Sequence, residues 1–260
     1  MNENFTYEQT RQSVLEHLRH NISGSFYSLL EGIYGTDGAQ YAHRERMREI
    51  MWRLMVEGII FFGKNAENPN WPWYCVTEWG RAVLKETKPQ PYDPDGFIAF
   101  FRQEVASVDP VVQDYFVEAL RAFMADCQKS AAVMLGAAHE QAILNLIDQF
   151  GQAIADVAKR EPFLKKTERG GIFQRFDHLM QPLSAMAASK KLPGGLREYV
   201  ETDILPAFNV IRLTRNAAGH PEIIQQVGRD ENFMHLRMAV HHLKHIHMLI
   251  EHFKANPAEV

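Results

Sequence analysis

The sequence predicts a mainly α protein, with an all-helical bundle following a smaller unit that mixes helices with two short strands. Three observations carry this reading. From Phe97 onward, apolar residues recur at helical spacing with little interruption. Before that, residues 59–62 and 74–76 are short β-prone runs on either side of a loop rich in Asn and Pro. Between the two regions, Lys88-Pro-Gln-Pro-Tyr-Asp-Pro94 places three prolines in seven residues, a connection that interrupts helices. The predicted domains are therefore residues 1–90 and 97–260.

Composition narrows the class. A chain of 260 residues can bury one large core or two unequal ones, and its 46% hydrophobic content is ordinary for a globular protein. A formal net charge of -4 argues against a domain that coats nucleic acid nonspecifically, but it allows a local positive groove. No run of about 18 apolar residues offers a membrane span, and residues 1–12 are too polar for a signal peptide. Cys75 and Cys127 are too few and too far apart for a disulfide framework or a thiolate metal site. These features read as a cytoplasmic protein with no membrane partner.

In the first domain, residues 7–34 carry spaced apolar positions (Val14, Leu18, Ile22, Phe26, Leu29) and read as helix, broken softly at Gly24. A second helix over 42–57 presents Met47, Ile50, Met51, Leu54 and Met55, and Gly58 ends it. After the two strands, Thr77 is placed to cap a short helix reaching Leu84. Helices followed by a two-stranded excursion and a short helix resemble a winged helix, the likeness being carried by 56–61 and 76–84. That resemblance implies a module for DNA binding, protein docking or dimerisation. Arg48 and Arg53 are the candidate DNA contacts; Arg44 and Arg46 lie beside them. Glu45, Glu49 and Glu57 are interspersed, so the helix reads first as a mixed-charge face.

The second domain predicts helices over 111–126, 129–150, 172–188, 196–218 and 231–253. The second is rich in small residues (Ala131, Ala132, Gly136, Ala137, Ala138), which permit close helix packing. The third is interrupted or starts near Pro182, and the fourth is broken near Pro206. Lys190-Lys-Leu-Pro-Gly-Gly195 reads as a loop. Leu236, Val240, Leu243, Ile246, Ile250 and Phe253 make the apolar stripe of the last helix.

Chemistry concentrates in Phe208-Asn-Val-Ile-Arg-Leu-Thr-Arg215-Asn216-Ala-Ala-Gly219-His220-Pro221. Arginine holds phosphate through a bidentate fork, and histidine moves protons near neutral pH. Gly219 can cap the helix and Pro221 disfavours an α conformation at His220, so His220 is expected just beyond the last regular turn. On an uninterrupted helix a separation of five residues would set Arg215 and His220 about 140 degrees apart, whereas a terminal bend brings them together.

The order Arg-Asn-three residues-His, with Gly219 before the histidine and Pro221 after it, resembles the HEPN superfamily over 109–253. The Ala-Gly-rich helix followed by Glu140 resembles that group's second core helix. The resemblance implies a metal-independent endoribonuclease, active as a homodimer in which the motifs of two subunits meet in one positive cleft. Its catalytic residues would be Arg215, Asn216 and His220, with Lys190, Lys191 and Arg212 as candidate RNA contacts. It further implies toxin or phage-defence biology, with an inhibitor or partner protein. No cofactor and no metal are expected. Residues 161–195 align with no feature of that group. Two other readings stay open: a noncatalytic nucleotide- or protein-binding module, and a DNA-binding regulator dimerised by its helical domain.

Other residues favour structural roles. His241 and His245 are spaced to share a ligand, yet with no nearby Cys or third acidic ligand the last helix's histidines read as a solvated, pH-sensitive face. His139 and His178 suit a bundle interface; His17, His20 and His43 read as surface or helix-end residues. Trp71, Trp73, Tyr74 and Trp79 can stack on bases, but their placement around the two strands favours a small-domain core or an inter-domain contact. Phosphate-binding glycine loops, dinucleotide fingerprints, metalloprotease helices and nucleophile elbows are missing.

Overall fold

The computed structural model describes residues 5–35, 41–85, 89–219 and 227–259. Among them are twelve helices and three strands, so the protein is mainly α with one small sheet. The chain divides into two compact units, Met1–Phe100 and Phe101–Val260. The division falls inside α5 (Pro94–Glu104).

The N-terminal unit begins with α1 (Tyr7–His20), started by a reciprocal box in which Thr6 Oγ1 accepts from Gln9 N–H at 3.2 Å and Gln9 Oε1 accepts from Thr6 N–H at 2.9 Å. It continues through β1 (Ser23–Ser25), α2 (Phe26–Tyr34), α3 (Tyr41–Val56), β2 (Ile60–Phe62), β3 (Trp73–Val76) and α4 (Glu78–Lys85). The sheet has the order β1-β3-β2, antiparallel throughout. The sequence predicts one helical stretch over 7–34, and the structure corrects this: Ser23-Gly-Ser25 is a strand. Its three small residues carry no β signal of their own, and pairing with β3 defines them. Gly24 sits opposite Tyr74, where a Cβ would fall 2.8 Å from the phenol oxygen. Gly58 turns the chain from α3 into β2 with φ +74, the left-handed region that favours glycine. Thr77 Oγ1 then accepts from Gly80 N–H at 2.7 Å and donates to Gly58 O at 2.6 Å, which caps α4 and ties it to that turn.

The apolar stripes of α1, α2 and α3 meet the sheet in one core that includes Val14, Leu18, Phe26, Leu29, Met47, Ile50, Leu54, Ile59 and Tyr74. His43 belongs to this interior. Sequence reads it as a surface or helix-end residue; it does lie in the first turn of α3, but it is 7% exposed and stacks on Tyr34 with centroids 4.3 Å apart.

The C-terminal unit is built around α7 (Gln128–Ala153), which packs against α6 (Pro110–Met124), α11 (Ile204–Gly219) and α12 (Arg229–Ala255). Asp109 starts α6 by accepting from the Val111 and Val112 N–H groups at 2.8 and 3.2 Å. Phe101 stacks on Phe116 at 4.1 Å. Buried Asn232 of α12 donates to the carbonyl of Gln128 at 2.8 Å and so fixes the start of α12 against the start of α7.

The section that sequence leaves unaligned forms α8 (Val157–Glu168), α9 (Ile172–Ala188) and α10 (Gly194–Thr202). One proline expectation is corrected: Pro182 lies within a continuous α9. The helix expected over 196–218 does break near Pro206, which itself lies in the first turn of α11, where a missing N–H costs little. The break between α10 and α11 falls at Asp203. No helix among the described residues is long and apolar enough to cross a membrane.

Candidate functional site

Arg215 sits on α11 where that helix crosses α7 at close range. Gly136 makes the crossing possible: a Cβ there would lie 2.5 Å from Arg215 Cβ and 2.4 Å from its Cγ. The aliphatic stem of the arginine therefore runs over bare backbone, and the side chain as a whole is 39% exposed. One turn further along α7, Glu140 Oε2 lies 3.6 Å from Arg215 Nη2. Arg215 Nη1 donates to Asn216 Oδ1 at 3.1 Å. The small residues noted in the sequence thus bring an arginine, an amide and a carboxylate together at a half-exposed position.

Helix α11 is regular to Gly219. His220 lies outside the described residues, as do 221–226. The remaining predicted contacts have separate settings. Arg212 lies over the rings of Phe173 and Phe208, with Cζ 4.9 and 6.0 Å from their centroids, and Phe208 in turn stacks on Phe176 at 4.0 Å. Lys190 takes φ +58 in the turn that stops α9, and Lys191 Nζ pairs with Glu259 Oε2 at 3.2 Å. Among the described residues, no hydrogen bond or ion pair joins either lysine to Arg215 or Asn216.

In the N-terminal unit, both candidate DNA contacts on α3 are occupied. Arg48 pairs with Glu45 at 2.7 Å; Arg53 pairs with Glu49 at 3.1 Å and with Asp95 at 3.0 Å. Beside them Tyr41, Trp52 and Val56 are exposed by 78%, 59% and 70%, so these two paired arginines share their helix with exposed apolar groups. An open groove of about 890 Å³ runs past Trp52, Phe62 and Trp71, with Arg46, Arg48, Glu45 and Glu49 on its walls. Tyr74 is core, whereas Trp71 and Trp79 stay partly exposed against Phe62 and Tyr92.

Sequence reasoning missed a buried polar cluster in the bundle. His139 of α7 and His242 of α12 are 2% and 1% exposed, and their rings stack 5.1 Å apart. His139 Nδ1 donates to Leu135 O at 2.9 Å. Tyr199 of α10 hydrogen-bonds His242 Nδ1. Burial raises the Tyr199 phenol well above its ordinary range, so it keeps its proton and donates. Among the described residues, the Nε2 atoms of both histidines have no hydrogen-bond partner. Burial holds His139 neutral, its pKa lowered to about 4, and pushes His242 well down. The solvated histidine face expected on the last helix is corrected accordingly. His235 and His242 are buried because the apolar stripe is wide enough to include them, while His241 stays at the surface. Among the described residues no group of three or more His, Cys, Asp or Glu is gathered to hold a metal ion.

No protein-family model, curated protein or solved structure matches the chain.

Proposed function

We propose that the C-terminal unit is a HEPN-like, metal-independent endoribonuclease acting as a homodimer, with the N-terminal unit a winged-helix-like docking module. The observation that carries this reading is the seating of Arg215. Its stem is fixed over Gly136, its side chain is 39% exposed, and a 3.6 Å contact to Glu140 is loose enough for a phosphate to compete with. Asn216 is already hydrogen-bonded to it, and α11 is helical to Gly219, the last described residue before the sequence reaches His220.

In the proposed reaction His220 accepts the proton of a ribose 2′-hydroxyl as that oxygen attacks the adjacent phosphorus. Arg215 stabilises the charge that develops on the phosphorane, and Asn216 orients it. The bond from phosphorus to the 5′-oxygen breaks, and that oxygen takes up a proton. The products are a 2′,3′-cyclic phosphate and a 5′-hydroxyl. DNA lacks the attacking hydroxyl, so the chemistry selects RNA. Lys190, Lys191 and Arg212 are the proposed strand contacts, and toxin or defence biology with a cognate inhibitor fits such an activity.

For the N-terminal unit, the order α1-β1-α2-α3-β2-β3 and the β1-β3-β2 sheet support the winged-helix reading. The pairing of Arg48 and Arg53 with carboxylates, beside exposed Trp52 and Val56, favours docking of protein over reading of DNA.

The test incubates the full chain with structured and single-stranded RNAs in EDTA, beside His220→Ala and Arg215→Met. Cleavage by the parent that leaves cyclic-phosphate ends and is lost in both folded variants is the expected result. Absence of cleavage by a folded parent dimer across that RNA set would move the unit to a noncatalytic binding role.

A further inference from the structure

The N-terminal unit holds a buried ionic cluster that the proposed reaction does not use. Arg11 of α1 is 3% exposed, with Nη2 lying 2.6 Å from Glu57 Oε2 and 2.7 Å from Asp93 Oδ1. Its Nε is 3.8 Å from Asp95 Oδ2. The side chains of Glu57 and Asp93 are themselves only 6% and 10% exposed. Glu57 directly follows α3. Asp93 caps α5, its Oδ1 accepting from Gly96 N–H at 3.0 Å, and a Cβ on Gly96 would fall 2.2 Å from its Oδ2. One guanidinium therefore joins α1, the end of α3 and the start of α5.

Among the described residues the charges in this cluster do not balance. One enclosed guanidinium faces two enclosed carboxylates, and Asp95 adds a third acid at 29% exposure. The other described ionisable groups facing the cluster are Tyr7 on α1 and Glu49 and Arg53 on α3. Arg53 is 47% exposed, is shared between Asp95 and Glu49, and lies 5.2 Å from the Tyr7 ring centroid. It offsets the excess only from outside. An unneutralised charge in such a site is costly, and a single proton on one carboxyl removes it.

We propose that the Arg11–Glu57–Asp93 cluster is a proton-operated latch on the N-terminus of α5. With one carboxyl protonated, it clamps α5 to α1 and α3; with both ionised, mutual repulsion loosens the Asp93 cap. The titration direction agrees. Burial pushes Glu57 up to about 7, opposed by Arg11 and assisted by Asp93. Asp93 is raised as well, again mainly by burial. Because the closed form binds the proton more tightly, the stabilisation is complete below the unfolded carboxylate range and is lost as pH rises through 7.

The test is amide hydrogen exchange of the full chain near pH 6 and near pH 8, corrected for intrinsic exchange and read over the first turns of α5. Linkage predicts about tenfold greater protection at the lower pH, and Glu57→Gln, a fixed neutral stand-in for the protonated acid, removes that difference. Equal protection at both pH values in the parent, or an unchanged pH response in Glu57→Gln, overturns the latch. A ¹³C NMR titration of the Glu57 carboxyl in the unaltered protein gives an answer independent of any variant's folding. A midpoint near 7 supports the latch, and one in the ordinary carboxylate range overturns it.

Discussion

The two units treat ionisable side chains in opposite ways. The N-terminal unit encloses charge: Arg11, Glu57 and Asp93 are nearly inaccessible, with contacts of 2.6 and 2.7 Å. The C-terminal unit encloses neutral groups, His139, His242 and Tyr199, and leaves Arg215 39% exposed with its nearest carboxylate at 3.6 Å. An arginine enclosed with buried acids that both meet its Nη2 is committed to the fold. An arginine fixed by its stem and loosely met at its head is available to a ligand. Burial alone does not mark function; the difference lies in which part of the side chain the protein has already satisfied.

Replacing Arg11 by methionine is the sharpest way to break this comparison. It removes the guanidinium that meets two enclosed carboxylates, and leaving a buried charge uncompensated costs roughly 3–5 kcal/mol. All four tryptophans, Trp52, Trp71, Trp73 and Trp79, lie in the N-terminal unit, so urea unfolding followed by tryptophan fluorescence reports that unit alone. The transition should shift strongly to lower urea, except where acid protonates the pair. A shift below about 1 kcal/mol, the range of surface ion pairs, would mean the cluster is solvated in solution.

Acidification should then separate the units by sign. Glu57 is raised to about 7, so the N-terminal unit gains stability as pH falls from 7 toward the unfolded carboxylate value. His139 is lowered to about 4 from 6.5, so its contribution is present above pH 6.5 and is lost as pH falls through 4. A shift of that size in a fully buried group corresponds to on the order of 3 kcal/mol. Between pH 7 and 5, the fluorescence-detected urea midpoint should rise while the far-UV circular dichroism of the helical bundle becomes easier to melt. Parallel movement of both signals would show that one of the buried clusters titrates as a solvated group.

Much of the helical framework is legible because apolar spacing is local. The expected helix over 172–188 coincides with α9, and the stripe from Leu236 to Phe253 does face the bundle, with Ile250 only partly covered. What escapes the sequence is set by pairing at a distance. Ser23-Gly-Ser25 becomes a strand only opposite β3, and Arg11 reads as one more polar helix position until Glu57 and Asp93 arrive beside it. His139 and His242 are 103 positions apart in the numbering and stack through α7–α12 packing. The candidate site was legible in its chemistry through Arg215 and Asn216. The roles of Gly136 and Glu140 in seating that arginine required the helix crossing.

The smallest expected change in stability comes from the same substitution at the other arginine. Arg215→Met keeps the aliphatic stem over Gly136 and deletes only the half-exposed head, so the lost contact to Glu140 is worth about 0–1 kcal/mol. Thermal unfolding of the bundle by circular dichroism should barely move. Under the proposed chemistry, removing the group that meets the developing phosphorane charge should lower RNA cleavage by about 10²–10³-fold. The paired result, one methionine that unfolds a unit and another that silences a site, would separate the structural arginine from the functional one. A large melting shift in Arg215→Met would instead place Arg215 with Arg11, as a residue the fold depends on, and would remove the observation on which the site rests.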